Sequence, residues 1–272
     1  MNSNVVLLAF GLTLIAGLST GIGSLLAFFA KRTNTRLLSG VLGFSAGVMI
    51  YVSLVDILPH ANSILRASMG DRAGSWVSLI SFLGGVLLIA VIDKLIPSSE
   101  NPHESRRVEQ MGQNYCDIKG NNMHLMKMGV LTAVAIGVHN FPEGIATFIA
   151  ALRDQNLGIA IAIAIAIHNI PEGIAVSVPI YCATGSRKKA LVYSFLSGLS
   201  EPLGALLAYI FLMPILSDQV FGIMFALVAG IMVFISLDEL LPSAREYGEA
   251  HIATYGLVAG MAVMGVSLLL FM

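Results

Sequence analysis

Charge is what this sequence has least of. Lys, Arg, Asp and Glu make up 11% of its 272 residues, against roughly 25% in ordinary soluble domains. With 56% of the residues hydrophobic, the apolar surface exceeds what a water-soluble core takes in, so a soluble enzyme or binding domain is excluded. Cysteine is nearly missing: Cys116 and Cys182 are the two in the chain, and without a CxxC pairing they suggest neither a thiolate metal site nor a disulfide framework. No basic region precedes the first apolar run, and Val5 to Ala30 is too long for a signal-peptide core, so it reads as a membrane span. Nucleic acid is not an expected partner at a formal net charge of −1.

What the chain has is long apolar runs, separated by short clusters of charge, Pro, Asn or Ser. At roughly 20 residues per crossing, they divide residues 1–272 into eight expected spans of one membrane domain. The spans are about 5–30, 37–58, 75–96, 128–151, 158–181, 190–215, 220–241 and 253–271. The expected class is an all-α integral membrane protein with the lipid bilayer as its surroundings. An even number of spans puts both termini on one side. Lys31, Arg32, Arg36, Lys94, Arg106, Arg107, Lys119, Lys127, Arg187, Lys188, Lys189 and Arg245 fall in one set of loops, and Arg66, Arg72 and Arg153 in the other. The positive-inside rule places the first set in the cytoplasm and both termini outside it. The longest loop, about 97–127, holds His103, Glu104, Asp117 and His124 without a tight ligand spacing, and reads as a cytoplasmic linker.

The sequence repeats itself. Ala46-Gly47-Val48-Met49 with Ser53, Asp56, Leu58 and Pro59 returns 183 positions on as Ala229-Gly230-Ile231-Met232 with Ser236, Glu239, Leu241 and Pro242. Ser19 to Phe28 resembles Ser200 to Tyr209 at an offset of 181. Spans one to three are therefore expected to recur, inverted, as spans six to eight, an arrangement common in secondary transporters. Spans four and five lie between them with a duplication of their own, His139-Asn140-Phe141-Pro142-Glu143-Gly144 and His168-Asn169-Ile170-Pro171-Glu172-Gly173.

On a helix, His139, Asn140 and Glu143 share one face, and so do His168, Asn169 and Glu172. Each motif stands roughly 16 Å into its span at 1.5 Å per residue, near the middle of a hydrocarbon slab about 30 Å thick. A charged carboxylate there costs on the order of 2.5–3.5 kcal/mol on insertion scales, and two facing each other repel. A divalent cation compensates both, because imidazole nitrogen with carboxylate and carboxamide oxygen completes its coordination; protonation is the other answer. Pro142, Pro171 and Pro202 stand beside Glu143, Glu172 and Glu201 and interrupt the helical ladder. They should free the carbonyls of Val138, Ile167 and Gly198 toward a polar cavity. The ligand set suits zinc and ferrous iron, and the Asn and Glu oxygens leave manganese and cobalt open. Met49 reads first as packing and second as a thioether ligand. Asp56 and Glu239, equivalent in the inverted repeat, are candidates for the two ends of a metal path. The expected function is passage of divalent transition-metal ions through this midplane site. A proton-coupled carrier of an organic solute and an intramembrane metallohydrolase are the alternatives; the second lacks an HExxH motif.

The paired HNxPEG motifs, the eight spans and the acid before Pro202 resemble the ZIP (Zrt/Irt-like) metal transporters, in particular bacterial members. The runs that carry the likeness are His139 to Thr147, His168 to Ala175, and Ala229 to Met232 with Asp238-Glu239. The resemblance covers essentially the whole chain. It implies a 3+2+3 arrangement of helices and a two-metal site between spans four, five and six. Its ligands would be His139, Asn140, Glu143, His168, Asn169, Glu172 and Glu201, with Glu143 and Glu172 bridging. His168 would belong to a zinc-type site, and Asn140, Asn169 and Glu201 to an iron-type one. It also implies a transporter rather than an enzyme, no prosthetic group, import across a bacterial inner membrane, broad divalent specificity and often a homodimer.

Overall fold

The computed structural model describes residues 3–29, 35–95, 122–215, 217–247 and 250–270, and among them every element is helical. The first rod is α1, Ser3–Phe29. The second strings together α2 (Thr35–Tyr51), a π-helical turn (Val52–Ile57) and α3 (Leu58–Met69). Rods three, four and five are α4 (Asp71–Leu95), α5 (Asn122–Arg153) and α6 (Gln155–Thr184). Rod six consists of α7 (Arg187–Gly198), α8 (Ser200–Leu207), a π turn (Ala208–Leu212) and a 3-10 turn (Met213–Ile215). Rod seven runs through α9 (Asp218–Ile235), a π turn (Ser236–Leu240) and α10 (Leu241–Tyr247), and rod eight is α11, Ala250–Leu270. The long loop expected at about 97–127 lies outside the described residues, apart from the start of α5.

Seven rods are long and apolar enough to cross a membrane. The exception is α5, whose 32 residues suffice in length but are less apolar overall than those of α6, which carries the equivalent polar run. Rods two and seven run past the expected ends at Pro59 and Pro242, to Met69 and Tyr247. In each case a π turn ends just before the proline and absorbs its missing donor, so the rod continues.

Tight turns set the alternation. Asp154 caps α6 by accepting from the backbone N–H of Asn156 (2.8 Å) and Leu157 (3.3 Å), and Gly185 closes that helix at φ 64°. Ser186 and Ser217 cap α7 and α9 in the same way. The Arg153–Asp218 ion pair, 3.1 Å, ties the link between rods four and five to the start of rod seven. At the other end the Ser39 hydroxyl donates to the Ala244 carbonyl at 2.6 Å, and Arg187 lies over the Phe28 ring. Rods two and seven therefore run in opposite directions, as an inverted repeat requires.

The rods form two packed groups: one, four, five and six, and two, three, seven and eight. Membrane helices associate by close backbone approach at small residues rather than by apolar burial, and glycines supply it here twice over. In the second group, Gly47 lies against the Leu257 carbonyl and Gly260 against that of Phe44. Their repeat equivalents, Gly230 and Gly85, lie against the carbonyls of Phe82 and Leu227. The first group mirrors itself likewise: Gly144 and Gly204 join rods four and six, as Gly173 and Gly23 join rods five and one.

Candidate metal site

The middle of the first group is polar. Asn140, Glu143, Asn169, Glu172 and Glu201 are all buried, although no Lys or Arg stands between residues 128 and 152, 154 and 186, or 190 and 244. Helices α5 and α6 run unbroken through Pro142 and Pro171, so each Asn and Glu of a motif keeps the three-residue spacing that puts them on one face. Rod six does break: α7 ends at Gly198, and α8 begins at Ser200. Glu201 thus stands two residues past the irregular step at Leu199, in the first turn of α8.

Two hydrogen bonds join the three rods. Asn140, with its carboxamide nitrogen turned toward acceptors, donates to Glu172 Oε2 at 3.2 Å and to the Ile136 carbonyl at 3.2 Å. Asn169 donates through Nδ2 to Glu201 Oε1 and to the Ala16 carbonyl of rod one, 3.0 Å away. Glu201 also lies within electrostatic reach of Glu143 and Glu172. Rods four, five and six thus bring two amide–acid hydrogen bonds and a third acid, Glu143, into the same polar region. Asn169 Oδ1 and Glu201 Oε2 are buried with no hydrogen-bond donor among the described residues. Both oxygens are acceptors in this arrangement, so a cation or a hydrogen-bond donor would satisfy them, as would a proton on Glu201.

His139 and His168 stand on α5 and α6 in the register of the motifs, but their side chains lie outside the described residues. Among the described residues, no three His, Cys, Asp or Glu side chains gather as a metal cluster. The Gly198 carbonyl, expected to face a polar cavity, is covered closely by Gly17 of rod one, because rods one and six cross there.

The secondary candidates lie apart from this centre. Met49 is fully buried in the main apolar core, which fits packing. Asp56 stands on the π turn of rod two, half-buried, with Oδ2 unpartnered among the described residues and with His60 and Asp154 within electrostatic reach. Glu239 occupies the equivalent π turn of rod seven, toward the end marked by Ala244, and is buried. Sequence reasoning missed all three π turns, whose signal is a proline two residues after each (Pro59, Pro214 and Pro242), and missed the Ala16 carbonyl, for which the sequence carries no signal.

A bundle of apolar rods around buried acids and amides has the build of a polytopic membrane transporter. The chain belongs to the ZIP family: the family described as ZIP Zinc transporter matches residues 93–268. It is 64% identical over 270 residues to the protein named Zinc transporter ZupT of Lysinibacillus sphaericus, covering 99% of both chains. The ZupT of Streptococcus mutans is 61% identical over 263 residues, 97% of both chains. That of Clostridium perfringens is 58% identical over 279 aligned positions, 99% of this chain and 98% of the other. The family is one of transporters and not of enzymes, which removes the metallohydrolase reading.

Proposed function

We propose that this protein takes up divalent transition-metal ions, zinc foremost, through the acid and amide centre of rods four, five and six. The observation that carries the proposal is the pair of unpartnered buried oxygens, Asn169 Oδ1 and Glu201 Oε2, with Glu143 and Glu172 in electrostatic reach of Glu201. His139 and His168 complete the ligand set, with Asn140, Glu143, Asn169, Glu172 and Glu201 supplying oxygen. Oxygen with imidazole suits zinc and ferrous iron and admits manganese and cobalt. The ion arrives past Asp56, exchanges water for these ligands, and leaves past Glu239 as the first helix group shifts against the second; alternating access of this kind is common in inverted-repeat carriers.

The finer reading also includes the bacterial inner membrane, with both termini outside the cytoplasm. The end that carries Lys31, Lys94, Arg187, Lys188, Lys189 and Arg245 then faces inward. A homodimer, implied by the family resemblance, would use an apolar face such as that of Tyr255, Val258, Val266 and Leu269 on α11, all of them exposed.

Radiolabelled zinc uptake into proteoliposomes tests the function, with wild type, Glu143→Ala and Glu172→Ala compared and iron and manganese as competitors. Wild-type uptake lost in both folded variants is the expected result, and the competitors then rank the substrates. Normal uptake by the variants would overturn the site. Flux of an organic solute that depends on Glu143 while zinc does not would favour the proton-coupled carrier.

A further inference from the structure

Three arginines stand at the end of the bundle where rods two and three meet. Arg66 is held by Asp71, Nη2 to Oδ1 2.7 Å. Arg153 is held by Asp218 and lies over the Phe221 ring, 5.1 Å from its centroid. Arg72 pairs with no carboxylate among the described residues. It stands in the first turn of α4, and Ser75, Trp76 and Leu79 follow three, four and seven residues on, so the four share one face. With Arg66 and Asp71 they line an open cavity of about 540 Å³.

Below that cavity the surface is apolar. Ile80, Leu83 and Leu87 continue down α4 as an exposed ridge. Trp76, the one tryptophan of the chain, is 58% exposed at the boundary between cavity and ridge. It lies roughly 8 Å into α4 at 1.5 Å per residue, the level at which tryptophan marks the membrane interface. A guanidinium at headgroup height above an apolar track matches a phospholipid, with the phosphate on the arginine and the acyl chains along the ridge. The charge balance narrows the class. Arg66 and Asp71 cancel, so the cavity keeps the single positive charge of Arg72. A zwitterionic headgroup brings its own cation to that charge, and an anionic headgroup does not.

We propose that the cavity at the head of α4, lined by Arg66, Arg72, Ser75 and Trp76, binds an anionic phospholipid of the phosphatidylglycerol kind. The proposal is independent of which ion the protein carries.

Trp76 is the built-in reporter. The full-length protein is reconstituted in liposomes containing phosphatidylglycerol or phosphatidylcholine with brominated acyl chains, and quenching of its fluorescence is titrated. The wild type is expected to prefer phosphatidylglycerol about fivefold at low ionic strength, as one basic side chain near a membrane surface supplies. Salt should weaken the preference. Arg72→Gln should bring it close to one, and Arg72→Lys should keep most of it. The control reporter is Val263→Trp in a Trp76→Phe background, because Val263 is 51% exposed on α11, a helix without Lys, Arg, Asp or Glu; it should show no preference. Equal quenching by both lipids in the wild type, an unchanged preference in Arg72→Gln, or the same preference at position 263 would each overturn the site. Emission insensitive to either lipid would mean that another protein surface, such as a second copy, covers this face, and would overturn it too.

Discussion

Replacing Gly144 by alanine isolates the contact that holds rod six against rod four beside the site. A Cβ at position 144 would lie 2.6 Å from the Cα and from the carbonyl carbon of Glu201, and both are backbone atoms that no rotamer change can move. Ordinary carbon contacts are about 3.5–4.0 Å, so α8 must withdraw by roughly 1 Å. Overpacking of this kind costs about 1–3 kcal/mol, while exchanging glycine for alanine inside a helix returns about 1 kcal/mol. The net loss is then about 0–2 kcal/mol, small enough for the protein to fold. Metal sites, however, tolerate ligand displacements of only about 0.2 Å, so zinc uptake should collapse while the melting temperature moves by a few degrees. Two further variants calibrate the result. A Cβ at Gly84 meets nothing within 4 Å, so Gly84→Ala should melt slightly higher and transport normally. Gly260→Ala presses on Phe44 in the other helix group, with its Cβ 2.9 Å from that carbonyl carbon, and should lower stability without weakening zinc binding. The assay is zinc uptake and calorimetric zinc binding alongside thermal melting. Gly144→Ala that matches Gly84→Ala in all three would refute the reasoning.

Glu201→Gln keeps an acceptor for Asn169 while removing a charge; zinc uptake should fall at least about tenfold with melting unchanged, and wild-type uptake would count against Glu201 as a ligand. At fixed free zinc, uptake should fall on the acid side, because proton and metal compete for the same ligand atoms and protonated His139 and His168 offer no lone pair to the ion; uptake that rises as the pH is lowered would count against them as ligands. Deleting Leu54 removes the extra residue of the π turn in rod two and should rotate α3 by roughly 100° against α2. Spin-label distances from α3 to α4 would register that rotation, and unchanged distances would show that the turn does not set the register.

The rods were legible because insertion in a bilayer demands long apolar runs, and the loop arginines and lysines sort by side. The centre was legible because HNxPEG occurs twice at helical spacing. What escaped prediction depends on partners distant in the chain or on a backbone choice that side chains hardly signal. Rod two shows the second case. One stripe of its buried positions runs Leu42, Ala46, Met49 and Ser53, then Ile57, Ala61 and Leu65. A regular helix would bring position 56 or 60 to that stripe, and the π turn shifts it by one residue, leaving Asp56 half-buried at its edge. Pro59 was visible, but it pointed to a helix end rather than to a wide turn. The Arg153–Asp218 pair shows the first case, since nothing local to either residue indicates the other across 65 positions.

The pseudo-symmetry of the first helix group sharpens what Glu201 contributes. Gly17 and Gly198, equivalent at the 181-residue offset, each lie against the other's carbonyl, so the symmetry axis passes between rods one and six at that crossing. Gly173 lies against the carbonyl of Thr20 as Gly144 lies against that of Glu201, so Thr20 and Glu201 occupy matching places beside the two HNxPEG motifs. The backbone is the same on both sides, and the side chain is not. Thr20 is fully buried, with a hydroxyl that no described residue bonds, whereas Glu201 brings a carboxylate to which the Asn169 amide is fixed. One substitution within a symmetric frame thus makes the centre lopsided in charge. The two motifs repeat the same residue types, but only the rod-six side adds a third acid, so under the proposed function a divalent ion between them would be drawn toward Glu201. The inverted repeat accounts for the scaffold, and the break at this one pair of positions accounts for where negative charge is concentrated in it.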